Sequence, residues 1–437
     1  MSPELLLTIG MFGGMIVAVM AGVSLGFAMG AVAVVATLIL YGTAGLLPIV
    51  TAVFNYMWML VLAAVPLFIL IGVALSKSKI ADDLYHAFYL WSGPLRGGLA
   101  LGSCGFAAAL SAMTGICSAS TVTAGLVGMP PMRQRGYKES IIFGTIGAAG
   151  TLGVLIPPSI TLIIIGLMTG QSVGKLFAGG LAAGLLILFL FMAYILVMAY
   201  LDPSLCPAMS ERVPWDRKMR SLKSVALPTL IILSILGTIF FGVATPTEAA
   251  SVGAIAVMFA VFLRKELNLK FIKEVTYTTA EITGMVMWIV FGSGGFVAIY
   301  SGNGGVYFIQ ELLSGLDLSP WSLFIFMQIL VLILGMFFDP IGISLLCLPI
   351  FFPVIQQLGF DPIWFCIVFQ VNLCIGYLTP PFGYNLFYLK SLYPQTNIKI
   401  IYASVLPFIV IMLGAEALIL LFPKLVTYLP QIMVAKG

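Results

Sequence analysis

The pattern Gly-x3-Pro-Pro occurs twice, at 153–158 and at 376–381, each time inside an apolar stretch. Two prolines in succession remove two amide donors and leave the carbonyls one turn upstream without helical partners. Inside a hydrocarbon layer such a break is tolerated only where the freed groups meet protein, line a cavity or bind an ion. The offset between the two breaks, 223 positions, also carries Pro130-x5-Gly136-Tyr137 onto Pro353-x5-Gly359-Phe360. It carries Gly30-Ala-Val-Ala-Val34 onto Gly253-Ala-Ile-Ala-Val257 as well. Three coincidences at one offset, without a gap, identify an internal repeat with units near 5–200 and 228–423.

Each unit contains apolar runs beyond the roughly 20 residues that cross a bilayer. Only 8% of the 437 residues are charged and 61% are hydrophobic; a soluble domain holds about a quarter charged residues. Mean hydropathy is +1.15. The chain is therefore expected to be a polytopic, all-α membrane protein. The 46 glycines and 24 prolines suit closely packed and broken membrane helices. The start Met1-Ser-Pro-Glu4 lacks the basic region of a cleaved signal, so the first apolar run is expected to remain as a span. No basic face or aromatic platform supports nucleic-acid binding.

Basic residues orient the halves. From Lys77 to Lys138 the first unit holds Lys77, Lys79, Arg96, Arg133, Arg135 and Lys138. The matching stretch, 300–361, holds no Lys or Arg and has Glu311, Asp317 and Asp361 instead. Lys and Arg beside spans mark the cytoplasmic side, so equivalent loops fall on opposite faces and the repeat is inverted. The expected first unit, 1–224, has spans at 5–22, 25–41 and 57–75 and a re-entrant hairpin at 97–131. A Pro-Pro-broken helix at 139–168, a span at 173–200 and a cytoplasmic linker at 202–224 complete it; the linker carries Arg212, Arg217, Lys218, Arg220 and Lys223. The second unit, 225–437, has spans at 227–243, 247–263 and 277–299, a hairpin at 320–354, a broken helix at 362–388 and a span at 400–422. Stretches 80–92 and 304–316 are expected to lie along the two interfaces. All Lys and Arg except Lys175, Lys424 and Lys436 then face the cytoplasm, and the N-terminus is periplasmic.

Inverted repeats with broken helices place a site at mid-membrane, where the units meet. The first hairpin tip reads Ser111-Ala-Met-Thr-Gly115-Ile-Cys-Ser118-Ala-Ser120-Thr121, and the second reads Phe337-Phe-Asp339-Pro-Ile-Gly342-Ile-Ser344. Freed carbonyls with Ser, Thr and Asp oxygens suit a hard cation such as sodium, and opposed helix N-termini suit an anionic group. Candidate sodium ligands are Gly115, Ser118, Gly153, Asp339, Gly342 and Thr379. Candidate substrate contacts are Ser118, Ser120, Thr121, Pro157, Pro158, Asn372, Pro380 and Pro381. Glu248, in Ala244-Thr-Pro-Thr-Glu248, is a further intramembrane acid that either joins the site or compensates a helix dipole. Glu281 and Glu416 are expected to be shielded near an interface.

Other chemistry is not encoded in recognisable form. The single histidine, His86, lies on an amphipathic stretch and reads as a surface residue, with no HExxH motif. No P-loop, GxSxG or paired catalytic aspartates occur, so an enzyme is not expected. Five of the six cysteines lie in apolar surroundings and read as buried free thiols, while Cys206 sits in a polar loop.

The run Met129-Pro-Pro-Met-Arg-Gln-Arg-Gly136-Tyr137 and the motif Gly150-Thr-Leu-Gly153-Val-Leu-Ile-Pro157-Pro158-Ser159 resemble the large membrane subunit of TRAP (tripartite ATP-independent periplasmic) transporters. Ala244–Ala250, Asp339 with Pro349, Pro353, Gly359 and Asp361-Pro362, and Gly376–Gly383 resemble that family's second-half signatures. The likeness runs from about 5 to 423. It implies an elevator-type secondary transporter of the ion transporter superfamily, driven by sodium ions and importing small organic anions. It also implies delivery by a periplasmic binding protein, and a small four-span membrane subunit that is not fused to this chain. One departure stands at the first tip: Gly115-Ile116-Cys117 replaces the family's usual Gly-Ser-Ser, with Ser118 and Ser120 nearby but out of register. The alternatives are a carrier of the same superfamily that needs no binding protein, and a passive channel.

Overall fold

The computed structural model describes residues 2–93, 95–207, 213–315 and 318–434. Met1, Arg212, Asp317 and Lys436 lie outside the described residues. Among those described, helices are the only regular structure, because a spanning segment in hydrocarbon must satisfy its own amides and carbonyls. The first half runs α1 (Pro3–Met20), α2 (Leu25–Tyr41), α3 (Leu47–Met57), α4 (Ala64–Lys77) and α5 (Ile80–Ser92). It continues with α6 (Gly98–Thr114), α7 (Cys117–Gln134), α8 (Glu139–Thr151), α9 (Ile160–Thr169) and α10 (Val173–Leu201). The second half opens with α11 (Trp215–Phe240), α12 (Pro246–Leu263), α13 (Leu269–Gly302) and α14 (Gly305–Ser314). Then come α15 (Pro320–Phe337), α16 (Pro340–Gln357), α17 (Pro362–Leu378), α18 (Tyr384–Leu392), α19 (Ile398–Leu421) and α20 (Lys424–Val434). Among the described residues nine helical stretches are long and apolar enough to cross a membrane. The chain is a multi-pass, all-helical membrane protein.

Helix starts are written locally. Proline opens α15, α16 and α17, where its missing amide costs nothing. The residue before each supplies a cap; Asp361, for example, accepts from the Trp364 amide at 2.7 Å. At α12, Thr245 and Glu248 form a reciprocal capping box.

Three local features differ from the sequence expectation. Residues 47–57, between two expected spans, form α3 and extend the apolar stretch of α2 to 33 residues. The last part of the expected linker 202–224 is helical, because α11 begins at Trp215 and bends by 50° between its Trp215–Lys223 and Val225–Phe240 parts. Asp216 in its first turn pairs with Arg220 at 2.9 Å, an i,i+4 contact that supports helix where a polar loop was expected. Beyond the last expected span, α20 packs back along α10.

Helix α13 packs along α2, α3 and α4, and α12 lies against α4 and α11. A second set of contacts joins α6, α7 and α8, then α8 to α19, α15 to α17 and α16 to α9. The two sets meet through α4 with α6, α5 with α6 and α13 with α16. Backbones come close where α2 crosses α13: a Cβ on Gly26 would stand 2.7 Å from the Trp288 carbonyl oxygen. Small residues of this kind let membrane helices gain van der Waals contact that larger side chains would prevent.

Candidate functional site

The first break shows where freed carbonyls go. Pro158 has no amide to give to Val154, four residues upstream. The Val154 oxygen instead accepts from Gln370 Nε2 of α17 at 2.8 Å and from the Ser159 hydroxyl. Ser159 Oγ in turn caps α9 by accepting from the Leu162 amide at 3.3 Å. The Thr151 oxygen accepts from the Cys117 thiol at 3.3 Å and faces the Cys374 thiol at 3.7 Å. Both Pro157–Pro158 and Pro380–Pro381 are cis.

The α6–α7 tip is docked onto this break. Gly115 ends α6 with φ +64°, and a Cβ there would collide with the Pro158 carbonyl oxygen. Only glycine meets both conditions without strain. In the other direction, a Cβ on Gly153 would stand 3.1 Å from the Ile116 carbonyl carbon. At the α15–α16 tip, Asp339 caps α16, its Oδ1 accepting from the Ile341 amide at 2.9 Å. Asp339 Oδ2 accepts from the Tyr377 hydroxyl at 3.3 Å, so the carboxylate ties its tip to the residue after Gly376.

The two tips share a cavity of about 60 Å³ lined by Gly115, Ser118, Thr161, Asp339, Tyr377 and Tyr388. Ile282, Met285 and Val286 of α13 close its third side. The space is on the scale of an ion or one or two waters, below that of an organic anion. Among the described residues Asp339 is its one charged lining residue. A carboxylate with Ser, Thr and Tyr hydroxyls around a small space is oxygen-donor chemistry of the kind that hard cations take.

Of the residues singled out from sequence, Gly115, Ser118 and Asp339 line this cavity, and Gly153 and Pro158 buttress its first tip. Pro157 is buried beside Pro158. Ser120 is spent on main-chain oxygens, donating to Cys117 at 3.0 Å and lying 3.2 Å from that of Gly150. Thr121 donates to Asn385 Oδ1 at 2.7 Å, and Asn385 Nδ2 donates to the Gly147 oxygen at 2.7 Å. Gly342 packs against Leu25 of α2. Thr379 donates back to the Ile375 oxygen at 2.6 Å. Pro380 and Pro381 lie at the second break, where the Tyr402 hydroxyl donates to the Pro381 oxygen.

Two of the singled-out polar groups lie elsewhere. Asn372 turns toward α15, donating to the Gln328 main-chain oxygen at 2.6 Å and to its side-chain oxygen at 2.8 Å. With Gln328 and the buried Glu416 it lines a different groove. Glu248 is exposed in its capping box, accepting from the Thr245 amide at 2.8 Å. Glu281 is exposed on α13, and His86 is exposed on α5.

Sequence reasoning passed over Thr161, Tyr377, Tyr388, Gln370 and Asn385. Gln370 and Asn385 carry a usable signal, since a side-chain amide inside an apolar run needs a buried partner. Tyr377 and Tyr388 carry none, because tyrosine in a membrane helix is as common at interfaces and in packing.

A hairpin tip docked on a Pro-Pro break, with a carboxylate facing it across a small cavity, is a transporter-like arrangement. Residues 12–425 match the family described as tripartite ATP-independent periplasmic transporter, DctM component. The chain belongs to this family. It is 33% identical over 375 residues to the C4-dicarboxylate TRAP transporter large permease protein DctM of Pseudomonas aeruginosa, covering 86% of this chain and 85% of that one. It is 30% identical over 379 residues to the ectoine/5-hydroxyectoine TRAP transporter large permease protein UehC of Ruegeria pomeroyi, covering 86% and 87%. The fold is similar to that of the YdaH transporter of Alcanivorax borkumensis, with TM-score 0.60 over 88% of this chain and 90% of that one, at 17% identity. As a member of the DctM component family the chain is a TRAP large permease, a transport protein.

Proposed function

We propose that this chain imports a small organic anion of carboxylate type across the bacterial inner membrane, using a sodium gradient. A periplasmic binding protein delivers the substrate, and a small four-span membrane subunit completes the complex. The N-terminus faces the periplasm. Residues 1–224 and 225–437 are two inverted repeats, and a body containing α6–α9 and α15–α18 moves as an elevator against α2–α4 and α11–α13.

The observation that carries this reading is the shared cavity, in which Asp339 of one tip faces Gly115 and Ser118 of the other. Sodium held there by Asp339, Ser118 and nearby main-chain oxygens would offset the Asp339 charge and join the tips. Gly153, Gly342 and Thr379 would act from the surrounding backbone. The substrate would enter beside this cavity once the tips separate, contacting Ser118, Ser120, Thr121 and the helix ends at Pro157, Pro158, Pro380 and Pro381, with no part for Asn372, which serves Gln328 in another groove. Among the described residues no Lys or Arg lines the cavity, so helix N-termini and sodium would meet the substrate carboxylate. The names of the relatives, which include a C4-dicarboxylate permease, support an organic anion.

The test is the unfolding temperature of the purified protein with sodium titrated against potassium or choline at constant ionic strength. A ligand that binds only the folded state raises that temperature by mass action. A saturable, sodium-specific rise that Asp339→Ala abolishes is expected. An equal response to all three cations would end the sodium reading.

A further inference from the structure

A groove of about 530 Å³ runs between α10, α11 and α20, away from the hairpin tips. It opens where α10 begins at Val173 and α11 ends at Phe240, so it sits at the level where spans leave the hydrocarbon. Its walls are apolar, formed by Ala178, Leu181, Ile239, Leu429 and Met433 among others, and Lys175 stands among them. Among the described residues Lys175 is the one charged lining residue. Among the described residues its ammonium has no carboxylate partner. Gly174 keeps the floor low, since a Cβ there would stand 3.3 Å from Ile239 Cγ2.

We propose that this groove binds an anionic phospholipid, its phosphate on Lys175 and an acyl chain along Leu181, Ile239, Leu429 and Met433. Three features point to that occupant. The groove combines an apolar trough with a single cation at one end, which matches an amphiphile with one negative head. The positive end of the 29-residue α10 lies beside that cation. Ser172 Oγ caps only the Lys175 amide, and the other first-turn amides have no intrahelical acceptor. One wall of the trough is α10, a helix long and apolar enough to cross a membrane. An anionic lipid there would clamp α20 onto α10 and α11.

The protein, freed of lipid in a neutral detergent, is titrated with phosphatidylglycerol and separately with phosphatidylcholine of the same acyl chains, and unfolding temperature is followed. A saturable rise with phosphatidylglycerol is expected, with phosphatidylcholine weaker. Lys175→Gln should weaken phosphatidylglycerol binding about five-fold, the worth of one interfacial lysine, and leave phosphatidylcholine binding unchanged. Leu181→Trp, which fills the trough, should weaken both lipids. Native mass spectra of the unaltered protein should retain phosphatidylglycerol in preference to phosphatidylcholine, a readout independent of how the variants fold. Equal response to the two lipids, or a phosphatidylglycerol response that Lys175→Gln leaves intact, overturns the proposal. So does an equal rise with inorganic phosphate alone, which would make this a free-anion site with no role for the trough.

Discussion

The side-chain amide of Gln370 on α17 donates to the main-chain oxygen of Val154 at 2.8 Å, across 216 positions of sequence. A helix of the second half thereby satisfies a carbonyl that Pro158 leaves open in the first. Removing that donor while Val154 stays buried leaves Ser159 as its remaining partner. Gln370→Leu should cost about 1 kcal/mol, the net worth of one hydrogen bond, because Ser159 still serves the Val154 oxygen. Gln370→Glu should cost more, because a carboxylate would face a carbonyl oxygen. Chemical denaturation in detergent measures both, and equal stability of Gln370→Leu and the unaltered protein would show the contact to be dispensable.

Asp339 has two separable roles, cap and charge. Asparagine caps a helix about as well as aspartate. Asp339→Asn should therefore keep the stability seen without sodium, while Asp339→Ala should lose about 1 kcal/mol. Both should lose the sodium-specific rise in unfolding temperature. A sodium response retained by Asp339→Asn would assign the carboxylate to capping alone.

Gly115 and Gly170 share a left-handed backbone, with φ +64° and +66°, but Gly170 has open space where a Cβ would go. Gly170→Ala should cost only the backbone term, about 1–2 kcal/mol. Gly115→Ala should cost more, because it also drives a methyl group into the Pro158 carbonyl. Unfolding midpoints of the two variants, measured side by side, should differ in that order; the reverse order would mean that the first tip is not seated on the break.

Arg133 at the end of α7 makes a two-pronged pair with Glu139, at 2.9 and 2.8 Å, and lies 4.0 Å over the Tyr393 ring. Lysine keeps the charge but neither the fork nor the stacking. The pair is partly exposed, so Arg133→Lys should cost only about 1 kcal/mol. Raised salt should not recover the loss, since stacking and fork geometry are not matters of net charge.

All six cysteines are free and buried. Cys206, outside the spans, has its thiol pushed up to about 11 by burial. At neutral pH little of it is thiolate, the reactive form. Native protein should resist maleimide at pH 7 and take up six labels in denaturant. Rapid labelling of Cys206 in native protein would show that the segment around it opens.

Much of the site's outline is legible in the chain because its cues are short-range. The Pro157-Pro158 and Pro380-Pro381 pairs interrupt their helices, whereas Pro130-Pro131 stays inside α7 near its end, and Asp339 before Pro340 writes a cap into two adjacent residues. Polar residues inside apolar runs announce that they need partners, and Ser118 and Asp339 are marked in this way. The partners themselves are another matter. Asn372 looks like a site residue by this criterion, yet it is satisfied by Gln328 on α15 and lies in another groove. Thr121 and Asn385 find each other across 264 positions. Glu248 is satisfied within its own helix turn.

The sequence by itself determined a helical membrane chain with two broken helices and the residues at which the breaks fall. Those outcomes follow from hydrocarbon solvation and from proline's missing amide, which act on each segment separately. The tertiary structure alone decided that Tyr377 and Tyr388 would stand beside Asp339, and that Gln370 would serve Val154. It also decided that α20 would fold back to leave a groove beside Lys175. Such pairings depend on how helices pack across the molecule, where van der Waals fit and the need to satisfy every buried polar group select one arrangement from many that the same local patterns permit.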